Sequence, residues 1–190
     1  SLLQLTLVSE RTLAMANAQP VQHLISCLVK NHPGVLARIS GMFSARAFNI
    51  ESLAVGTTAD PTISRITIAV PGDPGILEQI IKQLAKIIDV IHVEDISETD
   101  HVERELMLIK VNCEGRNRSE IMQICDIFRA RIVDVHSDCL IIEVSGTLNK
   151  NEAILRLFQP FGILEMTRTG RVALHRGPRR LELPAVEAEG

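Results

Sequence analysis

Hydrophobic and polar positions along residues 22–97 follow two different periods. Apolar side chains recur at every second position in segments such as residues 63–70, which is typical of half-buried strands. Between the strands they recur every three or four positions, which is typical of amphipathic helices. The pattern predicts strands over residues 22–29, 47–54, 63–70 and 90–96, and helices over residues 35–46 and 74–88.

Turn-forming residues separate these predicted elements. Asn31-His32-Pro33-Gly34 lies between the first strand and the first helix, and Asp60-Pro61 lies between the two central strands. Asp73, followed by Pro74, has the properties of a helix N-cap and first turn. The order strand, helix, strand, strand, helix, strand is that of a ferredoxin-like unit.

The same order of elements begins again after the polar stretch at residues 97–104. Strands are predicted over residues 105–112, 132–135, 140–144 and 163–166, and helices over residues 119–128, with Ser119 as N-cap, and 150–158. We therefore predict an α+β protein of two tandem ferredoxin-like βαββαβ modules. The predicted divisions are an N-terminal arm (1–20), a first module (21–97), a linker (98–103), a second module (104–176) and a flexible tail (177–190).

Two helices on one face of an antiparallel sheet leave the other face uncovered. A large apolar patch is seldom exposed to water, so we expect this face of the first module to pair with another copy of the chain. The sequence alone thus predicts a homodimer.

Charge and composition exclude several classes of partner. The chain has 20 basic and 23 acidic residues, a net charge of -3, five Phe and no Trp or Tyr. Neither a basic surface nor a set of aromatic stacking platforms is available, so we expect no nucleic acid partner. Apolar runs such as residues 140–142 are far shorter than the ~20 residues that span a bilayer, so we expect no membrane partner.

Residues that often bind metals do not combine into a metal site. The four cysteines form no C-x-x-C pair and are predicted to be reduced core thiols: Cys27, Cys113, Cys125 and Cys139. His92 with Glu94, and His101 with Glu103, lack a third ligand, and His101 is expected in a solvated linker. The contiguous run at residues 136–138 cannot form a catalytic triad and is predicted to be a hairpin turn. We expect no metal, catalytic residue or cofactor.

The first strand-to-helix junction is the best candidate for a binding site. A helix N-terminus offers unpaired N–H groups and a positive dipole end, which suit a carboxylate, and Gly34 permits close approach. Asn31 and Asn49 add the amide groups that binding a free amino acid requires. Spacing alone favours an ordinary turn before a helix over a binding site.

Longer segments resemble a known family. The stretch KNHPGVLARISGMFSARAFNIESLAV, followed by ISRITIAV and HVERELMLIKV, resembles the regulatory (small) subunit of acetohydroxyacid synthase, also called acetolactate synthase. FRARIVDV and RTGRVAL resemble its C-terminal module, and the resemblance covers about residues 20–176. The segments RTLAMANA and RTGRVALHR are more similar to plant and algal forms.

The resemblance implies an N-terminal ACT domain that binds a branched-chain amino acid, chiefly valine, at a homodimer interface. The partner is then a thiamine-diphosphate-dependent catalytic large subunit, which this chain activates and subjects to feedback inhibition. The implied effector residues are Asn31, His32, Pro33, Gly34, Val35, Leu36, Asn49 and Ile50. His32-Pro33 and Ala47-Phe48 depart from the common bacterial pattern, which leaves leucine or isoleucine as alternative ligands.

Two other functions compete with this interpretation. An ACT-type sensor could serve another metabolic enzyme, although the second module favours the family's own catalytic subunit. A small acylphosphatase-like enzyme would need an anion-binding loop, for which Arg38, Arg46 and Asn49 are candidates by type. The plant-like segments imply the plastid stroma, with the bacterial cytoplasm as the alternative.

Overall fold

A computed structural model of the chain describes residues 22–115 and 117–181. The expected N-terminal arm lies outside the described residues, as do residues 182–190 of the expected tail. The described chain has four α-helices and nine strands arranged as two α+β modules, which confirms the predicted fold class.

The first module contains β1 (Gln22–Lys30), α1 (Val35–Ala45), β2 (Ser52–Thr57), β3 (Ile63–Pro71), α2 (Pro74–Leu84) and β4 (Val90–Asp95). Its antiparallel sheet has the order β2-β3-β1-β4. Alternate residues of β1 and β3 pack against α1 and α2 to form the core: Ile25, Cys27, Val29, Val35, Ile39, Phe43, Ile66, Ile68, Val70, Leu77, Ile80 and Leu84. Asp73 caps α2 by accepting a hydrogen bond from the Ile76 N–H at 2.9 Å, as predicted.

Two predicted boundaries in this module are wrong. The second strand begins at Ser52 rather than at residue 47, because Ala47 adopts a φ of 54° and the Phe48 N–H still bonds to the Phe43 carbonyl. Asn49 and Ile50 therefore lie in a loop before β2. The second helix ends at Leu84, and Ile88, which periodicity placed on the inner face, is 81% exposed in the following turn.

The second module repeats the arrangement with β5 (His101–Asn112), α3 (Asn117–Phe128), β6 (Arg131–Val135), β7 (Cys139–Gly146), α4 (Leu148–Phe158), β8 (Ile163–Arg168) and β9 (Val172–His175). The sheet order is β6-β7-β5-β8. A 3-10 turn (Gln159–Phe161) follows α4. Ser119, the predicted N-cap, lies inside α3, since that helix already includes Asn117.

A ribbon of β5 and β9 joins the two modules. His101, which was expected in a solvated linker, begins β5 and pairs with His175 of β9. Ala173 of β9 packs against Leu24, Ala69 and Ile96 on the face of the first sheet opposite its helices. The expectation that this face is uncovered is therefore wrong: the chain's own second module covers part of it.

The flexible tail is predicted to begin at residue 177, but residues beyond this point still contact the first sheet. Leu181 is 7% exposed and packs with Leu28 and Ile63 on the same face of the first sheet. Arg179 forms an ion pair with Glu94 of β4. Arg179 and Leu181 thus attach this part of the expected tail to the first sheet, because the apolar side chain of Leu181 gains free energy by burial there.

Candidate functional site

The turn between β1 and α1 is fixed to its neighbours through its backbone and one side chain. The Asn31 N–H bonds to the Thr62 carbonyl at 2.7 Å, and the Asn31 side-chain amide donates to the Pro61 carbonyl at 2.8 Å. The turn that accepts these bonds is itself ordered by Asp60, whose carboxylate accepts from the Thr62 hydroxyl and N–H. Those bonds hold the pKa of Asp60 below its usual value.

Gly34 is the N-cap of α1 and has a φ of +92°, which L side chains rarely adopt. Among residues 22–115 and 117–181 no side chain caps this helix, whereas Asp73 and Thr147 cap α2 and α4. A Cβ at Gly34 would meet nothing within 4 Å, so there is open space beside the helix start. The N–H groups of the first turn are therefore available to an anion.

Asp89, between α2 and β4, holds this turn from inside the protein. Its carboxylate is 5% exposed, accepts from His32 Nε2 at 2.9 Å and pairs with the Arg38 guanidinium. Its backbone carbonyl accepts from the Lys30 N–H at 2.9 Å. Asp89 thus binds the residue before the turn, a residue within it and the first helical turn after it.

The predicted effector residues do not form one cluster within a single chain. Gln22, at the start of β1, donates to Glu51 at 2.7 Å, so the loop carrying Asn49 and Ile50 lies near that end of the strand. Asn31 follows the other end of β1. This strand has nine residues, so eight steps of about 3.3 Å separate its two ends by roughly 26 Å.

The remaining predicted effector residues divide between the surface and the core. Val35 is 4% exposed and belongs to the hydrophobic core, so its side chain is not available to a ligand. Leu36 is 44% exposed beside the open helix start, and His32 and Pro33 are also exposed. The helix start thus combines free N–H groups with an apolar side chain.

Comparison with known proteins identifies the family. A family model described as the AHAS small subunit-like ACT domain matches residues 25–92, and one described as the small subunit of acetolactate synthase matches residues 104–177. The probable acetolactate synthase small subunit of Archaeoglobus fulgidus is 51% identical over 160 residues, which are 84% of this chain and 100% of that protein.

The chain belongs to the acetolactate synthase small subunit family. The acetolactate synthase small subunit of Mycolicibacterium smegmatis is 48% identical over 165 residues, which are 87% of this chain and 96% of that protein. A crystal structure of the acetolactate synthase small subunit from Thermotoga maritima has 41% identity and a TM-score of 0.76, and the match covers 83% of this chain and 98% of that chain.

Membership of this small subunit family confirms an ACT domain followed by a C-terminal ferredoxin-like domain, and a regulatory rather than a catalytic subunit. The relatives named above come from archaea and bacteria, and they give no support to a plant-like form or a plastid location. The bacterial alternative stays a prediction. In the described part of the chain, no helix is long and apolar enough to cross a membrane.

The residues considered for an acylphosphatase-like site of this small subunit lie apart. Arg38 pairs with Asp89 at the start of α1, whereas Asn49 follows the other end of that helix. Arg46 Nη2 donates to Gln83 Oε1 at 2.8 Å. No single loop holds these groups, so the structure does not provide the anion-binding loop that such an enzyme needs.

His92 and Glu94 take part in a polar cluster instead of a metal site. Glu94 accepts from His175 at 3.2 Å and also pairs with Arg179. Residues 22–115 and 117–181 contain no group of three or more His, Cys, Asp or Glu side chains that could hold a metal ion. All four cysteines are free, and Cys139 is the one that is partly exposed.

Sequence reasoning missed Asp89, although a signal for it exists. It is a single carboxylate within the apolar run at residues 87–91, and a buried carboxylate needs hydrogen-bonding partners. His32 and Arg38 are those partners. No comparable local signal marks Arg171, whose partner Gln22 is 149 positions away in the sequence.

Proposed function

We propose that this small subunit activates a separate acetolactate synthase catalytic subunit and makes it sensitive to feedback inhibition by a branched-chain amino acid, with valine as the first candidate. Family membership supports the regulatory role. The single structural observation that supports the ligand is the open, uncapped start of α1 at Gly34.

The helix start suits each part of a free amino acid. Its N–H groups can receive the carboxylate, and the dipole favours that charge. The Asn31 side-chain nitrogen is already bonded to Pro61, which leaves the amide oxygen to accept from the ammonium group. Leu36 offers an exposed apolar surface to a branched side chain. This division of roles explains a preference for small apolar amino acids.

A homodimer explains why Asn31 and Asn49 lie at opposite ends of β1. β2 is the edge strand of its sheet, and within the described residues it pairs with β3 alone. Antiparallel pairing of β2 with β2 of a second copy brings the second copy's Asn49 loop towards the Asn31 end of the first. Two equivalent sites then lie at the interface, each with Asn31 from one chain and Asn49 from the other.

Regulation follows if the ligand favours one arrangement of the dimer. A ligand that bridges two chains stabilises the packing that brings its two half-sites together, and the catalytic subunit responds to that packing. Coupling of this kind amounts to about 1–3 kcal/mol between sites. A ligand with equal affinity for both arrangements would leave the activity unchanged.

Mixing two variants that are each expected to lose valine binding tests the shared site. Asn31→Ala and Asn49→Ala each alter both sites of their own homodimer, so each should lose valine binding in calorimetry. After unfolding and refolding together, a mixed dimer has one site with both asparagines replaced and one intact site. We expect saturable valine binding to return in the mixture, at about one site for every four chains if the dimers form at random.

Three controls make the mixing result interpretable. Light scattering must show dimers for both variants, and Asn117→Ala, which removes an exposed amide on α3, should bind valine like the unaltered protein. Activation of the catalytic subunit is measured separately, without valine, and should persist in both variants. No recovery of binding in a mixture with confirmed mixed dimers would contradict a site shared between chains.

A further inference from the structure

The turn between β8 and β9 brings the second module into contact with the segment that carries Asn49. Gly170, in this turn, has a φ of +80°, and a Cβ there would lie 3.4 Å from the Leu53 carbonyl carbon and oxygen and from Ser52 Cβ. This φ favours glycine, and the short distances show that the turn packs closely against the start of β2. The start of β2 therefore rests against the backbone of the second module.

Arg171 continues this contact with hydrogen bonds. Its side chain is 9% exposed, donates to the Gln22 side-chain oxygen at 2.9 Å, and lies 3.5 Å from the Glu103 carboxylate. The Gln22 amide nitrogen then donates to Glu51 Oε1 at 2.7 Å. An unbroken chain of polar contacts thus runs from Glu103 of β5 to Glu51, which is two residues after Asn49.

The chemistry of this chain of contacts fixes the orientation of Gln22. Arginine has donors only and an ionised glutamate has acceptors only, so the amide oxygen must face Arg171 and the nitrogen must face Glu51. A rotated amide would place two donors together and two acceptors together. A change at Arg171 is therefore transmitted to Glu51 through the amide.

We propose that Arg171 is a positioning residue for the effector site: through Gln22 and Glu51 it holds the loop that carries Asn49 in the geometry that receives the amino acid. This inference rests on the proposed function. The second module then helps to shape the effector site, although all the predicted ligand contacts lie in the ACT domain.

The same contacts give a physical route for regulation. Ligand contact at Asn49 restrains the loop, and through Glu51 and Gln22 it restrains Arg171 and the β8–β9 turn. Coupling between two sites is reciprocal, so a partner that binds the second module in its restrained form must also raise the affinity for the amino acid. Breaking the chain of contacts at Arg171 removes both effects together.

The test uses the full-length chain with Arg171→Met, which keeps the length and packing of the side chain but removes its donors. Valine affinity is measured by calorimetry for this variant, for Glu51→Met, which removes the acceptor of the Gln22 hydrogen bond, and for the double variant. Arg176→Met is the matched control, because Arg176 is also on the ribbon side of the second module but is exposed and pairs only with Asp100 in the described chain. Light scattering and thermal unfolding verify the dimer and the fold.

We expect Arg171→Met to weaken valine binding by about tenfold or more, and Arg176→Met to change it by less than twofold. The double variant should bind no more weakly than the weaker of the two single variants, since both interrupt one chain of contacts. A substitution that merely destabilised the fold would instead add its own loss of affinity to that of Glu51→Met. If Arg171→Met fails to fold, Arg171→Lys replaces it, because one donor should restore part of the affinity.

The possible outcomes distinguish a failure of the proposed function from a failure of the role proposed for Arg171. If the unaltered protein binds no branched-chain amino acid, the proposed function is wrong and the role of Arg171 is wrong with it. If it binds valine but Arg171→Met binds within twofold of it, or if the two losses multiply in the double variant, only the role of Arg171 is overturned.

Discussion

The Asp89 carboxylate accepts a hydrogen bond from His32 Nε2 at 2.9 Å although the two residues are 57 positions apart in the sequence. Through Arg38 and Lys30 the same residue also holds the chain on both sides of the turn. The position of the open helix start therefore depends on a buried group that is not among the predicted effector residues. This relationship separates the residues that would contact a ligand from the residue that places them.

Replacing Asp89 should disturb the turn between β1 and α1 while the first module stays folded. Hydrogen bonds to a charged partner contribute about 1.5–3 kcal/mol, and Asp89→Asn weakens two of them while keeping the size of the side chain. We expect the free energy of unfolding to fall by about 2 kcal/mol and valine binding to weaken severalfold. Urea denaturation and calorimetry measure the two effects. Asp126→Asn, an exposed aspartate on α3, should change neither; equal effects in both variants would contradict this role.

Two substitutions at Gly34 separate the effect of backbone strain from the effect of an added negative charge. Gly34→Ala introduces an unfavourable backbone at a φ of +92° but meets no atom, so it should cost about 1–2 kcal/mol of stability. Gly34→Asp has the same strain but adds a carboxylate at the helix start, which offsets part of the cost and competes with the ligand carboxylate. Valine binding should be lost in the Asp variant and only reduced in the Ala variant. Equal affinities in the two variants would show that no anion binds there.

The sequence predicts most of the fold because most of it depends on local signals. The spacing of Ile66, Ile68 and Val70 identifies β3, and Asp73 with Pro74 marks the start of α2. The predicted start of β2 is wrong for a local reason that the sequence does not reveal. Ala47 adopts a left-handed backbone conformation, which alanine does not favour. Helix periodicity likewise cannot show that the chain leaves α2 before Ile88.

Contacts between the modules could not be predicted, because their partners are far apart in the sequence. Ala173 packs on Leu24 and Ala69, and Arg171 bonds to Gln22, and neither type nor spacing indicates these pairs. The candidate site was partly predictable: the Gly34 turn has a clear signature, whereas the separation of Asn31 from Asn49 follows only from the strand order.

Buried thiols should make the protein less stable in alkaline solution. Burial raises the pKa of Cys27 from 9.0 to about 12 and, with the nearby charge of Asp126, that of Cys125 to about 11. Above pH 9 the unfolded chain loses thiol protons that the folded chain keeps, so the unfolded state is favoured as the pH rises. The effect is at most about 1.4 kcal/mol per pH unit for each thiol.

Measuring the free energy of unfolding between pH 8 and pH 11 tests this dependence, and the absence of Tyr removes one competing titration. Cys27→Ala should lower stability near pH 8, because it leaves a small cavity, but it should make the decline above pH 9 shallower. Cys139→Ala is the control for a partly exposed thiol. An unchanged slope in Cys27→Ala would show that Cys27 ionises alike in both states.

The ribbon should hold the two modules together chiefly through Ala173. This residue is 4% exposed between Leu24, Ala69 and Ile96, whereas its neighbour Leu174 is 59% exposed. Ala173→Asp would bury an unpaired carboxylate, at a cost on the order of 3 kcal/mol unless the ribbon leaves the sheet. Release of the ribbon avoids that cost, so we expect faster proteolysis between residues 97 and 104 and two unfolding transitions in place of one. Leu174→Asp is the control, because it adds the same charge at the surface and should leave a single unfolding transition. If Ala173→Asp also unfolds in a single transition, other contacts hold the two modules together.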